Sequence, residues 1–314
     1  MELHQLQYVM VVAKHQSFTR AAEEICLSQP SLSQQITKLE EELGVKLFER
    51  NTRNVSLTSA GQIFLEHAER ILAEIEQIHR SMQEHTGLLK GKFIIGVTPV
   101  IGKLKLSALI TSFQRTHTGL DIHVIEGGSC VLFEQLFLSK IDVAILTPPI
   151  NQDTSSVNFY PLIDDELVLV THSSHPFTIK GIINLAEASS EKIIFPNNTT
   201  GSYSITMQAC HNAGFEPQIV CECSQVETVM DLIRNRVGVA LFSSRIAYSN
   251  TNPEISIVQL TNPSHKPTVL AIRKRPHQLP AIIAFRDFSL KCITACEPSI
   301  SLSCRSTSDT IESL

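Results

Sequence analysis

Ser28-Gln-Pro-Ser-Leu-Ser-Gln-Gln-Ile-Thr-Lys-Leu-Glu-Glu-Glu-Leu43 decides the fold of the first part of this chain. Ser28 is a strong N-cap, and Pro30 suits a first helical turn, where its missing N–H has no intrahelical partner. Leu32, Ile36, Leu39 and Leu43 then step by 4, 3 and 4, one apolar helical face. Pro30, Gln34 and Thr37 fall on the opposite side, flanked by Ser33 and Lys38. Upstream, Leu3, Leu6, Met10 and Ala13 predict a first helix with one buried face. Ser17 or Thr19 can cap a short second helix holding Arg20, Ala21, Ala22 and Ile25, and Cys26-Leu27 makes the turn. Two helices, a tight turn and a polar outer face are the helix-turn-helix arrangement. Gln34 can bridge the N6 and N7 edge of adenine, Pro30 can touch a thymine methyl, and Ser28 and Gln29 open the same helix.

Downstream, Lys46-Leu-Phe-Glu-Arg50-Asn-Thr-Arg53-Asn-Val-Ser-Leu57 reads as a β-ribbon, or wing, with Arg50 and Arg53 near its tip, where they suit phosphates or a narrow minor groove. A small helical domain with a solvated polar face fits the same pattern. Six basic residues against seven acidic ones in 1–58 favour that alternative. Globally, Lys plus Arg 26 against Asp plus Glu 31 leaves −5, so any nucleic-acid function must rest on local geometry.

Hydrophobic residues at 43% and charged residues at 18% exclude disorder over most of the chain, and 314 residues suit two domains at about 150 each. Eight Cys is too few for a disulfide scaffold. No apolar run reaches the roughly 18 residues of a membrane helix, and no secretory signal opens the chain. A cytoplasmic protein without membrane attachment is expected.

Thr58 can cap a helix running to about Gly87, the linker of residues 59–89. Phe64, Ala68, Ile71, Ile75, Ile78 and Met82 step by 4, 3, 4, 3 and 4, a heptad seam. Some 28 residues give a rod of about 42 Å, too long to bury such a stripe in a domain of this size. Self-association through that seam is expected; a long core helix within one chain is the alternative.

From Lys92 the pattern alternates. Strands are expected at Phe93–Val97, Ile122–Glu126, Asp142–Leu146, Glu166–Val170, Lys192–Phe195, Ile219–Cys223, Val237–Phe242, Ser256–Leu260 and Thr268–Ile272. Helices are expected at Ile101–Arg115, Cys130–Leu138, Ser202–Ala213, Gln225–Arg234 and Pro280–Cys292. That is an α/β domain with mostly parallel sheets, in which ligands bind beyond the carboxyl ends of strands. Those ends carry small polar residues: Thr98-Pro99, Gly127-Gly128-Ser129, Thr147, Asn198-Thr-Thr-Gly-Ser202 and Ser224-Gln225. Hydroxyls and helix N-termini without a charged residue suit a small carboxylate or other oxyanion held by Thr98, Pro99, Ser129, Thr147, Thr200, Gly201 and Gln225. Ordinary N-capping accounts for each residue singly. Glu297–Leu314, with six Ser and two Thr in 18 residues, is expected to be a disordered tail.

Gly96-Val-Thr-Pro-Val-Ile-Gly102-Lys103-Leu104 mimics a phosphate loop, but five residues separate its glycines and Leu104 stands where Ser or Thr would hold Mg²⁺. No nucleophile elbow, H-E-x-x-H or C-x-x-C is present, so neither an enzyme nor a metal or organic cofactor is expected.

Ser17-Phe-Thr-Arg-Ala-Ala22, Leu27-Ser-Gln-Pro-Ser-Leu-Ser33, Leu39-Glu-Glu-Glu-Leu-Gly-Val-Lys-Leu-Phe-Glu-Arg50 and Leu57-Thr-Ser-Ala-Gly61 together resemble the winged helix-turn-helix of LysR-type transcriptional regulators. The resemblance implies a DNA-binding domain at 1–58, a dimerisation helix at 59–89 and an effector domain at 90–295. The effector domain would have two lobes, 92–162 plus 268–295 and 163–267, like type 2 periplasmic binding proteins. It implies bases facing Gln29, Pro30, Ser33 and Gln34, backbone beside Thr37 and Lys38, and Arg53 in a flanking minor groove. Glu40-Glu41-Glu42 should sit past the groove as a solvated helix end. Implied partners are double-stranded promoter DNA, a small effector, a second copy in a dimer or tetramer, and RNA polymerase. One branch of the family senses peroxide through a cysteine pair, so Cys221 and Cys223, with Cys210 near, keep redox sensing as the alternative; buried strand cysteines are commonly inert. A solute-binding protein would explain neither head nor rod.

Overall fold

The computed structural model describes residues 1–50, 55–84, 90–150 and 153–300, in two compact units, Met1–Thr86 and Gly87–Leu314. In the first unit, α1 (Leu3–His15), α2 (Phe18–Glu24) and α3 (Gln29–Leu43) precede the ribbon β1 (Phe48–Arg50) and β2 (Val55–Leu57), then α4 (Ser59–Glu84). The helix starts follow local chemistry. Ser17 Oγ accepts the Arg20 N–H, Ser28 Oγ accepts the Ser31 N–H, and Thr58 Oγ1 accepts the Gly61 N–H. Each satisfies a donor that the first turn leaves unpaired. Gly44, at φ 70, ends α3 in the left-handed conformation that glycine adopts without strain.

The head core gathers Val9, Val12, Ala21, Leu32, Ile36, Leu39, Leu47 and Phe48. The α1 stripe differs from the sequence expectation. Leu6, Val9 and Val12 are buried against α2, α3 and α4, while Leu3 is exposed. Leu43 is likewise exposed at the far end of α3.

The second unit holds two lobes. In the first, β3 (Gly91–Val97), α5 (Ser107–Thr116), β4 (Leu120–Glu126), α6 (Ser129–Phe137), β5 (Val143–Leu146) and β6 (Val157–Ile163) are completed by β13 (Thr268–Arg273) and α11 (Pro280–Ile300). Its sheet runs β4-β3-β5-β13-β6, with β3 parallel to β4 and β5 and β13 antiparallel to both its neighbours. The second lobe comprises β7 (Leu167–His172), α7 (Phe177–Lys180), β8 (Ile182–Ile183), β9 (Lys192–Pro196), α8 (Gly201–Asn212), β10 (Gln218–Cys223), α9 (Val226–Arg234), β11 (Ala240–Ser243), α10 (Ser244–Tyr248) and β12 (Ile255–Leu260). Its sheet runs β11-β7-β12-β8, and the β9-β10 pair joins it where Ile194 N–H donates to Val239 O at 2.8 Å.

Two segments cross between the lobes, 164–166 and 261–267. They pair through Leu167 N–H to Ser264 O at 2.9 Å and Lys266 N–H to Asp165 O at 2.7 Å. Three expectations are corrected. The edge strand β6 escaped detection because Asn158 and Pro161 break its apolar pattern, and an edge tolerates Pro. The segment before Ser107 forms turns, with Lys105 at φ 59, instead of extending α5 back to Ile101. And α11 runs to Ile300, past the expected start of the tail; residues 301–314 lie outside the described residues. No helix among the described residues is long and apolar enough to cross a membrane.

Candidate nucleic-acid interface and effector cleft

The outer face of α3 is polar because Leu32, Ile36 and Leu39 all turn inward to the head core. Ser28, Gln29, Pro30, Gln34 and Lys38 are exposed there, while Ser33 and Thr37 are half-buried beneath Arg50. Arg50 does not reach outward as a ribbon tip. Its guanidinium donates to Ser33 Oγ at 2.9 Å and Thr37 Oγ1 at 3.3 Å, lies 4.7 Å over the Phe18 ring and sits 3.6 Å from Glu40. It therefore ties the wing to α3, on the polar row. Arg53 lies outside the described residues.

Glu40 overturns the solvated-end expectation. Only 2% exposed, it accepts the N–H groups of Leu47 and Phe48 through Oε1 at 2.9 and 3.2 Å, and the Lys46 ammonium through Oε2 at 2.9 Å. Burial pushes its carboxyl upward, but these three donors outweigh burial and hold it below the usual carboxylate range. Glu41 and Glu42 are solvated, as the run of three suggests. What separates Glu40 is its place one residue after Leu39, on the edge of the buried stripe.

The α4 seam divides. Phe64 packs against the head core and Ala68 is buried, so these two do not belong to a free surface. Ile71, Ile78 and Met82 are exposed, at 40, 60 and 58%, with Ile75 half-buried between them.

In the second unit the strand ends converge. Thr98 is buried at the end of β3, its N–H donating to Ile145 O at 3.3 Å, and Pro99 is exposed beside it. Ser129 and Thr147 are buried, and Ser129 Oγ accepts the Thr147 N–H at 3.2 Å. Gly201 of the other lobe is pressed onto both: a Cβ there would lie 2.7 Å from Thr147 Cβ and 3.0 Å from Ser129 Oγ. Across the same boundary the Cys130 N–H donates to Thr199 O at 3.2 Å. Thr200 caps α8 through its backbone and gives its hydroxyl to Asn197 O at 2.7 Å. Gln225 stands exposed at the start of α9, and its side chain does not cap that helix. Ser129, Thr147 and Gly201 thus meet directly, with Cys130 and Thr199 joining them; sequence patterning missed these two because their part is played by backbone atoms.

Beside this contact lies a cavity of about 390 Å³ that both lobes and the second crossing segment line, through Pro149, Ile150, Ile205, Gln208, Pro263 and His265. Within the crossing, Asp165 is buried and accepts from the hydroxyls of Ser243 and Ser244 and from the N–H groups of Glu166 and Arg245. Lys266 is buried as well. Desolvation lowers its ammonium pKa, and the Asp165 charge opposes the shift. Three cysteines carry raised thiol pKa values: Cys130 through burial, Cys210 up to about 11 through burial and the Glu216 charge, and Cys221 through burial and the neighbouring Cys223. Among the described residues no group of His, Cys, Asp and Glu could hold a metal ion.

Comparison with known proteins agrees over both units. Residues 3–62 match the family described as bacterial regulatory helix-turn-helix protein, lysR family, and residues 86–291 match the LysR substrate binding domain. The chain is 31% identical over 265 residues to the HTH-type transcriptional regulator BsdA of Bacillus subtilis, covering 83% of this chain and 90% of BsdA. It is 29% identical over 244 residues to the hydrogen peroxide-inducible genes activator of Dickeya chrysanthemi, covering 78% of this chain and 79% of that protein. Among solved structures, full-length CbnR, a LysR family transcriptional regulator, superposes with TM-score 0.66 at 22% identity over 93% of this chain and 99% of its own, including when complexed with its target DNA. Full-length BenM gives TM-score 0.57 at 27% identity over 94% of this chain and 97% of its own.

Proposed function

Because the chain belongs to the LysR family of DNA-binding transcriptional regulators, we propose how its own residues divide the work. The row Ser28, Gln29, Pro30, Ser33 and Gln34 enters the major groove, with Thr37 and Lys38 beside the DNA backbone, Arg50 bracing the wing and Arg53 in the flanking minor groove. Two heads are delivered together by self-association through Ile71, Ile75, Ile78 and Met82, as a dimer or as part of a tetramer, which suits a palindromic site. A small carboxylate or related oxyanion binds between the lobes at Thr98, Pro99, Ser129, Thr147, Thr200, Gly201 and Gln225, and the response reaches RNA polymerase at the promoter.

One observation carries the effector reading: at the lobe boundary the Cys130 N–H donates to Thr199 O of the other lobe, beside the Ser129 Oγ that accepts the Thr147 N–H within the first lobe and the Gly201 pressed onto both. An anion would exchange these internal hydrogen bonds for charge-assisted ones, which are about twice as strong as neutral ones. By binding one lobe arrangement better than another, it would shift their populations. The raised thiol pKa of Cys210 disfavours peroxide attack at that residue. At pH 7 a thiol with pKa about 11, as at Cys210, is thiolate in roughly one molecule in ten thousand.

Footprinting on the DNA flanking the protein's own gene, repeated with a panel of small organic acids, tests this. Thr98→Val with Thr200→Val should abolish the acid response and leave operator affinity intact. Gln34→Ala should cost roughly 1–3 kcal/mol and relax sequence preference, whereas Lys38→Ala should weaken all sites alike and lower the salt slope by about 1. A response to peroxide that survives in the panel's absence would refute the metabolite reading. Parental footprints in both α3 variants would refute the groove assignment.

A further inference from the structure

We propose that Cys221 and Cys223 in the second lobe form a two-thiol site for a trivalent metalloid hydroxide of the arsenous acid type. Both stand on β10, with only Glu222 between them, and alternate residues of a strand point to one face. That face is the inner one. Both cysteines pack, half-buried, against the core cluster that holds Val229 and Met230 of α9, while Glu222 is exposed. Among the described residues β10 pairs with β9 alone, and its register shifts between Ile219 and Cys221. An irregularity on an edge strand leaves local freedom to draw two side chains together. Neither cysteine is in a disulfide.

Two features select the ligand class. No group of three or more His, Cys, Asp or Glu among the described residues could hold a metal ion, so the four-ligand set of structural zinc is missing and a centre satisfied by two sulfurs is needed. Burial, then the neighbouring Cys223, raises the Cys221 thiol pKa, which keeps that thiol protonated at neutral pH. A soft cation must expel thiol protons to bind, and peroxide attack needs a thiolate. A neutral hydroxide needs neither. Each thiol condenses with one As–OH group: an As–O bond breaks, an As–S bond forms, and the thiol proton leaves in water, with no change of oxidation state. The pyramidal centre holds both sulfurs on one side, as neighbours on one strand face require. The site also reaches the lobe boundary, whatever binds there. Cys223 O accepts the Asn197 N–H at 3.1 Å, and Asn197 O accepts the N–H and the hydroxyl of Thr200 at 3.0 and 2.7 Å. Thr200 precedes Gly201, the glycine pressed onto Ser129 and Thr147 of the other lobe. Closing the chelate on Cys223 therefore shifts the start of α8.

The test titrates the reduced full chain with phenylarsine oxide and counts adducts by intact-protein mass spectrometry. One phenylarsenic per chain is expected, resistant to excess mercaptoethanol and removed by the dithiol dimercaptopropanol. Cys221→Ser and Cys223→Ser, with parental unfolding midpoints, should each weaken binding at least about 100-fold, because the second As–S bond forms inside the chelate. Cys210→Ser and Cys292→Ser should leave it intact. Half-saturation should stay constant between about pH 6 and about pH 8, since condensation releases no net proton. Hydrogen exchange in peptides spanning 197–201 should change at least about threefold on binding. Binding that survives loss of either strand cysteine, or that disappears in Cys292→Ser, would overturn the site. Affinity that climbs steadily with pH would overturn the condensation, and unchanged exchange at 197–201 would overturn the link to the lobe boundary.

Discussion

Replacing Glu40 with Ala should detach the wing from the recognition helix, and the size of the effect follows from the hydrogen bonds. The carboxylate accepts two backbone N–H groups, from Leu47 and Phe48, in a buried setting. Neither N–H has water to turn to once the acceptor is gone, and each orphaned donor costs about 1–3 kcal/mol, so the pair costs roughly 2–6 kcal/mol. Hydrogen exchange followed by mass spectrometry reads this locally. Peptides containing Leu47 and Phe48 should exchange at least about 30-fold faster, the factor that 2 kcal/mol implies. Peptides from α8 in the second unit should be unchanged. The parent should also show an acid dependence that the variant lacks. The folded pKa of Glu40 is lowered, so its contribution is complete above the unfolded value of about 4.3 and is lost as pH falls through the folded one. If exchange at Leu47 and Phe48 stays within about threefold of the parent, donors buried at this junction are satisfied elsewhere and the assignment of Glu40 is wrong.

Three further outcomes are expected. Ile71→Asp with Ile78→Asp should leave the chain monomeric at micromolar concentration in sedimentation equilibrium, since each isoleucine contributes about 1.5–3 kcal/mol when buried; an unchanged oligomer would remove α4 as the seam. Gly201→Ala places a Cβ 2.7 Å from Thr147 Cβ, so it should destabilise the lobe contact by about 1–3 kcal/mol and speed exchange around Cys130; parental protection there would mean that the contact yields freely. Lys266→Met should stabilise the second unit by about 1–4 kcal/mol at neutral pH, because Asp165 keeps four other donors while a buried ammonium is removed. Since burial lowers the folded pKa of Lys266, the parent should gain stability as pH rises from the folded towards the unfolded value of about 10.4, and the gap to the variant should close over that window. A gap that widens instead would contradict it.

What residue order determines by itself is whatever closes within a turn or two of chain. The period of Leu32, Ile36 and Leu39, the caps Ser17, Ser28 and Thr58, and the strand-sized apolar runs of both lobes depend on neighbours three or four positions away, and they are legible for that reason. Tertiary structure decides the rest. Glu40 reads as the start of a solvated acidic run until the wing folds back and presents two N–H groups from seven and eight residues on. Phe64 and Ala68 share a heptad seam with Ile71 and Ile78, yet the head domain takes the first two and leaves the others exposed. Gly128 and Gly201 look like ordinary turn glycines, but each marks where the backbone or side chains of the opposite lobe come too close for a Cβ. Lys274 and Arg286 share a pocket with Tyr160, although more than a hundred residues separate that tyrosine from either. In every such case the deciding partner lies outside the element's own repeat, and no periodicity encodes which atoms of another element will remove water from a charge or a donor.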